Sequence, residues 1–429
     1  MNARVMLSRL ILPSLMMAGS HAAVADDALR TSLQNAVTSV QQREGIQGVA
    51  AGVIYPNATW TLTAGESHPG VAIRPDMVFG IGSNTKTLTA LLLLRLQEQG
   101  LVDLDDRIGP YVPASPVIDT SITIRQLLQH TSGLGEFAGG AQYRDSILAN
   151  PRRIWKPSEL VPMIPAPQFA PGTSWKYCNS NYLLAGIIAE RVGNAPYHDL
   201  LRRELFDRAG IDSTVLVPYD SVVGDLAHRW MGGRDAAAMP MQAEWSGAWA
   251  AGGVVSTAGQ MVRLYDALFS GRIIMPASMD ELLSFGGPND YGLGISLKRL
   301  GGRTIYGHSG EIRGYSSVMV WVPSLRASIS VLTNQAASDA SAVADTIIRL
   351  LGASVTSVDE PIADDVLPML PSVIRDVHGR VMGTIVSRHE LATFPVGMYI
   401  IQHSSDVRCV SVLGDGTVAY GRMATISPR

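Results

Sequence analysis

Along the first hundred residues, segments with the hydrophobic periodicity of a helix are followed by segments with that of a strand. Residues 29–42 show helical spacing, and residues 48–54 run apolar as a buried strand does. A further strand pattern ends at Val78-Phe79 and leads through two glycines into a second helix pattern that begins at Ser83. That helix carries leucines on one face and ends before Gly100, a residue type favoured just after a helix. These leucines are Leu88, Leu91, Leu92 and Leu96.

The middle of the chain differs from both ends. Residues 111–245 are rich in proline and show helical patterns at 124–128 and 182–192. After Gly253, Thr257 and Gln260 predict a capping box for a helix that runs to Phe269. Strand patterns then follow at 291–296, 304–306, 316–322 and 327–333, and a helix pattern follows at 342–351. The pattern predicts a sheet built from residues 29–110 and 246–353, with a mainly helical insert at 111–245.

The last part of the chain reads as a linker and a separate small module. Residues 354–371 combine prolines with acidic residues and are predicted to link two parts. Residues 372–429 show short strand patterns separated by glycines, which predicts a small all-β module. This module weakly resembles the β-sandwich tails of some secreted bacterial enzymes, so docking to a wall or surface is one role for it.

Composition and the N-terminus limit the classes of protein. The chain has 429 residues, 46% of them hydrophobic, and a net charge of −3, which gives no general attraction to nucleic acid. Residues 1–25 resemble a cleavable signal peptide with cleavage after Ala25, although a buried N-terminal helix is the alternative. No segment predicts a transmembrane span. We therefore expect a periplasmic or secreted protein, with Cys178 and Cys409 as free thiols.

Ser83 and Lys86 form the first candidate site for chemistry. Three positions apart at a helix start, their side chains are neighbours. A serine hydroxyl needs a base within hydrogen-bond reach, and burial lowers the pKa of a lysine toward neutrality. The helix N-terminus also favours a developing negative charge. The alternative is an N-cap serine beside a surface lysine.

Two later segments supply further candidates. Tyr177 could act as a second base, and Asn179 could hold a substrate amide. In the motif His308-Ser309-Gly310, the glycine permits close approach of the backbone to a ligand. The N–H of Glu311 can pair with that of Ser83 as an oxyanion hole. His308 could donate to the substrate or share a proton with Tyr177. In isolation, each of these residues also fits an ordinary structural role.

Taken together, these motifs resemble the serine β-lactamase and penicillin-binding protein superfamily, in the branch of class C β-lactamases, D,D-peptidases and β-lactamase-like esterases. The resemblance covers about residues 29–353 and includes connecting segments. These segments are 104–106, 124–133, 251–257 and 291–294. It implies an α/β fold of the α+β type, in which an antiparallel sheet flanked by helices lies beside a helical domain.

The resemblance also implies roles for the site residues. Ser83 would be the acylated nucleophile, Lys86 its base partner and Tyr177 the proton shuttle, with Asn179 binding substrate. The oxyanion hole would be formed by the N–H groups of Ser83 and Glu311.

Two features of the sequence bear on the substrate. His308 and Ser309 stand where β-lactamases carry Lys-Thr, which favours D,D-peptidases over efficient penicillin hydrolysis. A carboxypeptidase also needs a cation for the terminal carboxylate, but residues 295–296 are uncharged. The remaining candidates for that cation are Lys298, Arg299, Arg303 and Arg313.

We therefore expect an exported serine hydrolase that acts on a small molecule or peptide, with D-alanyl-D-alanine carboxypeptidase or a related D-amino-acid peptidase favoured. The alternatives are an esterase of this fold, a weak class C type β-lactamase and a non-catalytic binding protein. The scattered histidines predict no metal site, and no cofactor motif occurs.

Overall fold

The computed structural model describes residues 14–355, apart from 57 and 286–288, and five strand segments between 372 and 421. Side chains are described over 27–354 with the same gaps. Residues 1–13, nearly all of the expected linker, and the side chain of Cys409 therefore lie outside the described part. Cys178 is a buried free thiol.

Seventeen strands are described, and most belong to two antiparallel sheets. They are β1 (Gly48–Tyr55), β2 (Ala58–His68), β3 (Val71–Ala72), β4 (Phe79–Gly80), β5 (Val215–Leu216), β6 (Trp230–Met231), β7 (Arg234–Asp235), β8 (Val254–Ser256), β9 (Ser296–Leu300), β10 (Arg303–Ile312), β11 (Tyr315–Val322), β12 (Ala327–Thr333), β13 (Ser372–Asp376), β14 (Val381–Ile385), β15 (Gly397–His403), β16 (Asp406–Val412) and β17 (Val418–Gly421).

The described helices cover both faces of the larger sheet. In chain order, most of them come between β4 and β9. They are α1 (Ser14–Arg43), α2 (Thr85–Glu98), α3 (Ile124–Leu128), α4 (Ala141–Ala149), α5 (Pro157–Leu160), α6 (Asn179–Gly193), α7 (Tyr197–Leu201), α8 (Asp207–Ala209), α9 (Gln242–Gly252), α10 (Ala258–Phe269), α11 (Pro276–Leu282) and α12 (Ala340–Val355). Short 3₁₀ turns occur at Gly82–Asn84, Val161–Met163 and Pro323–Leu325, and a π-helical turn occurs at Arg202–Phe206.

The larger sheet has seven strands in the order β3-β2-β1-β12-β11-β10-β9, and every neighbouring pair is antiparallel. Strands from the beginning of the chain thus pair directly with strands near residue 330, for example Val49 with Thr333. The predicted fold class, an antiparallel sheet flanked by helices, is confirmed.

Alternating side chains on the strands bury both faces of this sheet. On one face, Val49 and Ile329 pack in a cluster with residues of α1 and α12, such as Leu33 and Ile347. On the other face, Met319 and Trp321 belong to the larger core that contains α2 and α10. A sheet covered by helices on both faces shields its middle strands from water. The site strand β10 lies next to the edge strand β9.

Three sequence predictions differ from the structure in detail. The strand expected at 291–296 is instead β9, which begins at Ser296 and pairs with β10. The motif His308-Ser309-Gly310 does not follow a strand but lies within β10, because the strand continues past Tyr306 to Ile312. Thr257 does cap α10 by accepting from Gln260 N (3.2 Å).

The capping box at Thr257 is incomplete. The side chain of Gln260 hydrogen-bonds Thr214 and Asp212 instead of turning back to the cap. A complete capping box occurs at Thr123, where the Gln126 side chain accepts from Thr123 N (3.0 Å).

The described strands near the C-terminus form a five-stranded antiparallel sheet in the order β14-β13-β15-β16-β17. Within the described residues, no helix combines the length and the hydropathy that crossing a membrane requires. Across the same residues, no group of three or more His, Cys, Asp or Glu side chains is arranged to hold a metal ion.

Candidate active site

Ser83 lies at the centre of the 3₁₀ turn that leads into α2. The turn begins after β4 and requires a positive φ at Gly82 (+50°), where a side chain would also meet the backbone of Glu311. An added Cβ on Gly82 would lie 2.6 Å from Glu311 N. The glycine therefore lets the turn approach β10 closely enough to bring Ser83 beside that strand.

Lys86, in the first turn of α2, is fully buried, and its amine makes three contacts. It lies 3.0 Å from Ser83 Oγ, 2.8 Å from Asn179 Oδ1 and 2.8 Å from the carbonyl oxygen of Ala251. Asn179 and Ala251 belong to α6 and α9, so three helices converge on this amine. The sequence prediction paired Lys86 with Ser83 but did not identify the Ala251 carbonyl.

The surroundings of Lys86 favour the neutral amine. Burial lowers its pKa to about 7, although the nearby Glu136 carboxylate opposes this shift. A neutral amine has two N–H donors and one lone pair. The oxygens of Asn179 and Ala251 accept hydrogen bonds from the two N–H groups, so the lone pair is directed at Ser83 Oγ. Ser83 can then donate its hydroxyl proton to Lys86, as a nucleophile activated by a base requires.

Tyr177 flanks the same pair. Its ring centroid lies 4.8 Å from Lys86 Nζ. Burial raises the pKa of Tyr177 well above its ordinary value, and its hydrogen bond with Ser83 opposes this only in part. The phenol is therefore protonated at neutral pH. This electrostatic difference favours Lys86 as the base and Tyr177 as a proton donor.

Asn179 is held in place by Glu136, a residue that the sequence reading did not single out. One carboxylate oxygen of Glu136 accepts from both Asn179 N (2.6 Å) and Asn179 Nδ2 (3.2 Å). The other accepts from Ala138 N (2.7 Å). A carboxylate at the start of α6 is also stabilised by the helix dipole. With its Nδ2 directed at Glu136, Asn179 presents its Oδ1 to Lys86.

The His308 ring lies 6.1 Å from that of Tyr177, but its hydrogen bond is to Tyr291. Its Nε2 lies 3.0 Å from the hydroxyl of Tyr291, and its Nδ1 lies against the carbonyl oxygen of Ser309. Burial first, and then the charge that Lys86 carries when it is protonated, lower the pKa of His308 to about 3. A neutral His308 that donates a hydrogen bond from Nδ1 accepts a hydrogen bond at Nε2 from the hydroxyl of Tyr291. Tyr291 lies in a segment quoted for the family resemblance, but no role was predicted for it.

Gly310 and Glu311 complete the cleft on the side of β10. An added Cβ on Gly310 would lie 2.0 Å from the carbonyl oxygen of Ile81 and 2.9 Å from Ser83 N. The backbones of the 3₁₀ turn and of β10 are thus in direct contact. This contact brings Ser83 N and Glu311 N together, as an oxyanion hole requires. Ser309 is exposed and lines the first cavity described below.

Two cavities meet at Ser83. The first, of about 740 Å³, is lined by Tyr177, Tyr291, His308 and Lys298, among others. The second, of about 530 Å³, is lined by Asn179, by charged side chains that include Arg144, Glu244 and Arg313, and by apolar side chains. The apolar members include Phe137, Ala138, Tyr143, Ile147, Ala248 and Ile312. Ser83 and Glu311 line both cavities. A substrate could therefore lie across the nucleophile with one end in each cavity.

The eight residues predicted from the sequence are therefore close together in the structure. Ser83, Lys86, Tyr177 and Asn179 form one group of contacts, and His308 joins it through the shared first cavity. Gly310 and Glu311 act through their backbone, and Ser309 lines the first cavity. A buried neutral amine against a serine hydroxyl is suited to acyl transfer through a covalent intermediate.

Comparison with known proteins identifies a matching protein family and several curated relatives. Residues 33–354 match the protein family described as Beta-lactamase. Penicillin-binding protein 4* of Bacillus subtilis (strain 168) is 26% identical over 307 residues, 66% of each chain. The Escherichia coli K12 protein AmpH, named a D-alanyl-D-alanine-carboxypeptidase/endopeptidase, is 32% identical over 51% of this chain and 56% of its own length. This chain thus spans between about half and two thirds of these two curated relatives.

A solved structure is similar over a larger share of its length. The D-amino acid amidase from Ochrobactrum anthropi SV3, complexed with D-phenylalanine, is 27% identical, with a TM-score of 0.67. The similarity covers 77% of this chain and 99% of that one.

Proposed function

Because the chain belongs to the Beta-lactamase family and is a serine hydrolase, we propose that it is a D-stereospecific peptidase that forms an acyl-enzyme on Ser83. D-alanyl-D-alanine carboxypeptidase is the activity that we favour. The single observation that carries the acyl-transfer chemistry is the contact between the buried amine of Lys86 and Ser83 Oγ (3.0 Å). The choice of D-amino-acid substrates is supported by the names of the relatives.

In the proposed reaction, Lys86 accepts the hydroxyl proton of Ser83 as Oγ bonds to the substrate carbonyl carbon. The N–H groups of Ser83 and Glu311 stabilise the resulting oxyanion, where one donor contributes about 2.7–4 kcal/mol. The bond from carbon to the leaving nitrogen then breaks. Tyr177 donates a proton to that nitrogen and is reprotonated from the Lys86 ammonium. In deacylation, Tyr177 gives its proton to Lys86 and takes one from the water that attacks the acyl carbon. The bond between that carbon and Ser83 Oγ then breaks, and the proton on Lys86 returns to Oγ.

The substitution of His308 for a lysine supports a peptidase over an efficient β-lactamase. His308 is neutral and its Nε2 accepts from Tyr291, so it offers no fixed positive charge to a ligand carboxylate. A substrate carboxylate, of a peptide or of a β-lactam, would therefore need another cation, and the preference for a peptidase rests on the His308-Ser309 pair in place of Lys-Thr.

A second candidate, a D-aminopeptidase or D-amino-acid amidase, is favoured by Glu136. Its carboxylate lies beside Asn179, which lines the second cavity, and its charge opposes the lowering of the pKa of Lys86. A negative potential there would suit a substrate with a free α-ammonium group. Comparison of D-alanine p-nitroanilide with its N-acetyl form separates the two candidates, because only an aminopeptidase prefers the free amine.

The main proposal is tested by intact-protein mass spectrometry after exposure to benzylpenicillin, to N-acetyl-D-Ala-D-Ala and to p-nitrophenyl acetate. We expect an adduct on the native chain and none on Ser83→Ala, because among the described residues Ser83 carries the one hydroxyl that is paired with the Lys86 amine. Ser180→Ala, which removes a hydroxyl that contacts the carbonyl of Gly135, is the control for a general effect of losing a serine.

An adduct that survives on Ser83→Ala would refute the assignment of the nucleophile. Fast turnover of p-nitrophenyl acetate without release of D-alanine would instead support the esterase alternative.

We also propose that the protein is exported to the periplasm or secreted, with cleavage after Ala25. The described side chains of α1 that pack against the sheet begin at Leu29, beyond the proposed cleavage site. The mature protein would keep this packing. Determination of the N-terminal residue of the protein from the periplasmic fraction tests the proposal, and an intact Met1 would contradict it.

A further inference from the structure

His130 follows α3 and takes no direct part in the proposed reaction. Its side chain is fully buried, and its backbone has a φ of +61°. Residues other than glycine are uncommon in this left-handed region. Such conformations persist where surrounding contacts hold them, and they cluster at active sites. The contacts of His130 therefore indicate what this residue does.

The backbone N–H groups on either side of Tyr177 both donate to His130. Lys176 N donates to the carbonyl oxygen of His130 (3.0 Å), and Cys178 N donates to its Nδ1 (3.2 Å). The centroid of the Tyr177 ring lies 4.4 Å from that of the imidazole, nearer than the ring of His308 at 6.1 Å. One residue thus holds the backbone before Tyr177, the backbone after it and the ring itself.

We propose that His130 is a positioning residue for Tyr177, which keeps the phenol hydroxyl directed at the bond between the substrate carbonyl and the leaving group. This inference rests on the proposed function, in which Tyr177 donates a proton to the leaving nitrogen. A displacement of about 1 Å at a catalytic group can lower a rate by about 10²-fold. The support that His130 gives to Tyr177 therefore bears directly on the rate of acylation.

The contacts of the imidazole require an unprotonated Nδ1. This atom accepts from Cys178 N and lies 3.1 Å from Asn181 Nδ2, a second donor. Asn181 is oriented by Ser132, whose Oγ donates to Asn181 Oδ1 (2.5 Å). The proton of the neutral ring is then on Nε2, which has no hydrogen-bond partner among the described residues. Burial holds the pKa of His130 well below its ordinary value, so the ring is neutral at neutral pH and serves as an acceptor and a packing surface.

The imidazole also packs against other aromatic side chains at the cleft. The ring of Tyr291, whose hydroxyl donates to His308, lies 4.8 Å from it, and those of Tyr182 and Trp175 lie at 5.3 and 5.9 Å. A substitution at His130 therefore disturbs more than Tyr177. The experiment has to separate the loss of proton donation from a general loss of packing.

The test uses two substrates that share an acyl group, the p-nitrophenyl ester and the p-nitroanilide of N-acetyl-D-alanine. The phenolate departs without a proton, whereas the anilide nitrogen requires one, so the ratio of their kcat/KM values measures proton donation. Tyr177→Phe should raise the ester-to-anilide ratio by about 10²–10⁴, the usual contribution of a general acid. His130→Leu should raise it by about 10², because the donor is displaced.

Three further variants make the result specific. The double variant His130→Leu/Tyr177→Phe should show the ratio of Tyr177→Phe alone, because both substitutions act on the same proton transfer. His130→Asn should keep the ratio within about five-fold of the native value, since its Oδ1 can accept from Cys178 N and asparagine tolerates a positive φ. Thr123→Ala removes the cap of α3, which weakens the same segment, and should leave the ratio unchanged.

An unchanged ratio in His130→Leu, or a double variant with a ratio well above that of Tyr177→Phe, would overturn the inference. If His130→Leu does not fold, ¹⁵N NMR of the histidines in the native enzyme decides, with the His130 signals assigned from His130→Asn. An unprotonated Nδ1 and a proton on Nε2 at neutral pH are expected. A protonated Nδ1 could not accept from Cys178 N and would refute the proposed role.

If the native enzyme cleaves neither substrate, the proposed peptidase function itself fails, and the role of His130 fails with it. If Tyr177→Phe leaves the ratio unchanged, Tyr177 is not the proton donor, and the inference is refuted together with that assignment. Both outcomes differ from an unchanged ratio in His130→Leu alone, which refutes only the role of His130.

Discussion

The amine of Lys86 is the residue on which the chemistry of the site depends. Burial lowers its pKa to about 7, and in the neutral form its two N–H groups donate to Asn179 and Ala251, which leaves the lone pair facing Ser83. The sequence predicted the partnership of Ser83 and Lys86 because their spacing on a helix is regular. It could not predict the Ala251 carbonyl, since every residue has a backbone carbonyl and only the folded chain selects one.

The pKa of Lys86 predicts the pH dependence of acylation. The reactive form is unprotonated, so kcat/KM for an uncharged ester should fall as pH drops below about 7 and level off above it. Because the charge of Glu136 raises the pKa of Lys86, Glu136→Gln should move this acidic limb to lower pH. The measurement is a pH profile of kcat/KM with p-nitrophenyl acetate.

The matched control for this profile is Glu159→Gln. Glu159 forms an exposed ion pair with Arg153 and should leave the limb in place. A limb near pH 10 in the native enzyme would mean that the amine is not desolvated as the structure indicates. A limb that does not move in Glu136→Gln would contradict the electrostatic role of that carboxylate.

At the scale of elements, the contact between β10 and the 3₁₀ turn decides whether an oxyanion hole exists. Here sequence reasoning was partly wrong, because it placed His308-Ser309-Gly310 after a strand. A glycine in such a motif suggests a turn, yet Gly310 lies within β10 and is needed for close approach. Periodicity does not distinguish these cases, since the clashing atoms belong to a segment more than two hundred residues earlier.

Gly310→Ala tests this contact. The new methyl group would overlap the carbonyl oxygen of Ile81 and approach Ser83 N, so β10 and the turn must separate. We expect kcat/KM to fall by about 10²–10³, the loss typical of removing one oxyanion donor. Overpacking should also destabilise the fold by roughly 1–3 kcal/mol. Steady-state kinetics and urea unfolding measure the two effects.

Gly259→Ala is the control for this substitution. Gly259 lies in α10, and the nearest atom to an added Cβ is 3.5 Å away, at Thr61. This variant should keep native activity, because helices favour alanine over glycine and nothing is displaced. Native kcat/KM in Gly310→Ala would mean that the turn and β10 do not together form the donor pair.

At the scale of the whole molecule, two large hydrophobic clusters lie within residues 33–351. The family match covers 33–354. The order of apolar patterns predicts a catalytic region over residues 26–353, because long helices and strands bury one face each, and this division of the chain stays a prediction. The docking role suggested for residues 372–429 stays a prediction.

A chain that ends after residue 355 should therefore fold and remain active. We expect kcat/KM within about two-fold of the full chain and a Tm change below about 4 °C, the shift that roughly 1 kcal/mol causes in a large domain. Kinetics and thermal unfolding of the shortened chain provide the check. A large loss of activity would show that the C-terminal sheet supports the catalytic region.

The substrate was the part that sequence reasoning left most open. Four cations competed for one role because the chain order does not reveal which of them line a common cavity. The structure separates Lys298 from Arg313 by placing them on opposite sides of Ser83.

The helix α2 is buried on nearly every face, from Thr85 to Leu94 and again at Leu96. A helix that is packed on all sides cannot tilt or slide without disturbing the helices and strands around it. The reactive hydroxyl at its head is thus the fixed reference of the cleft, and any accommodation of differently shaped acyl groups must come from the surrounding walls.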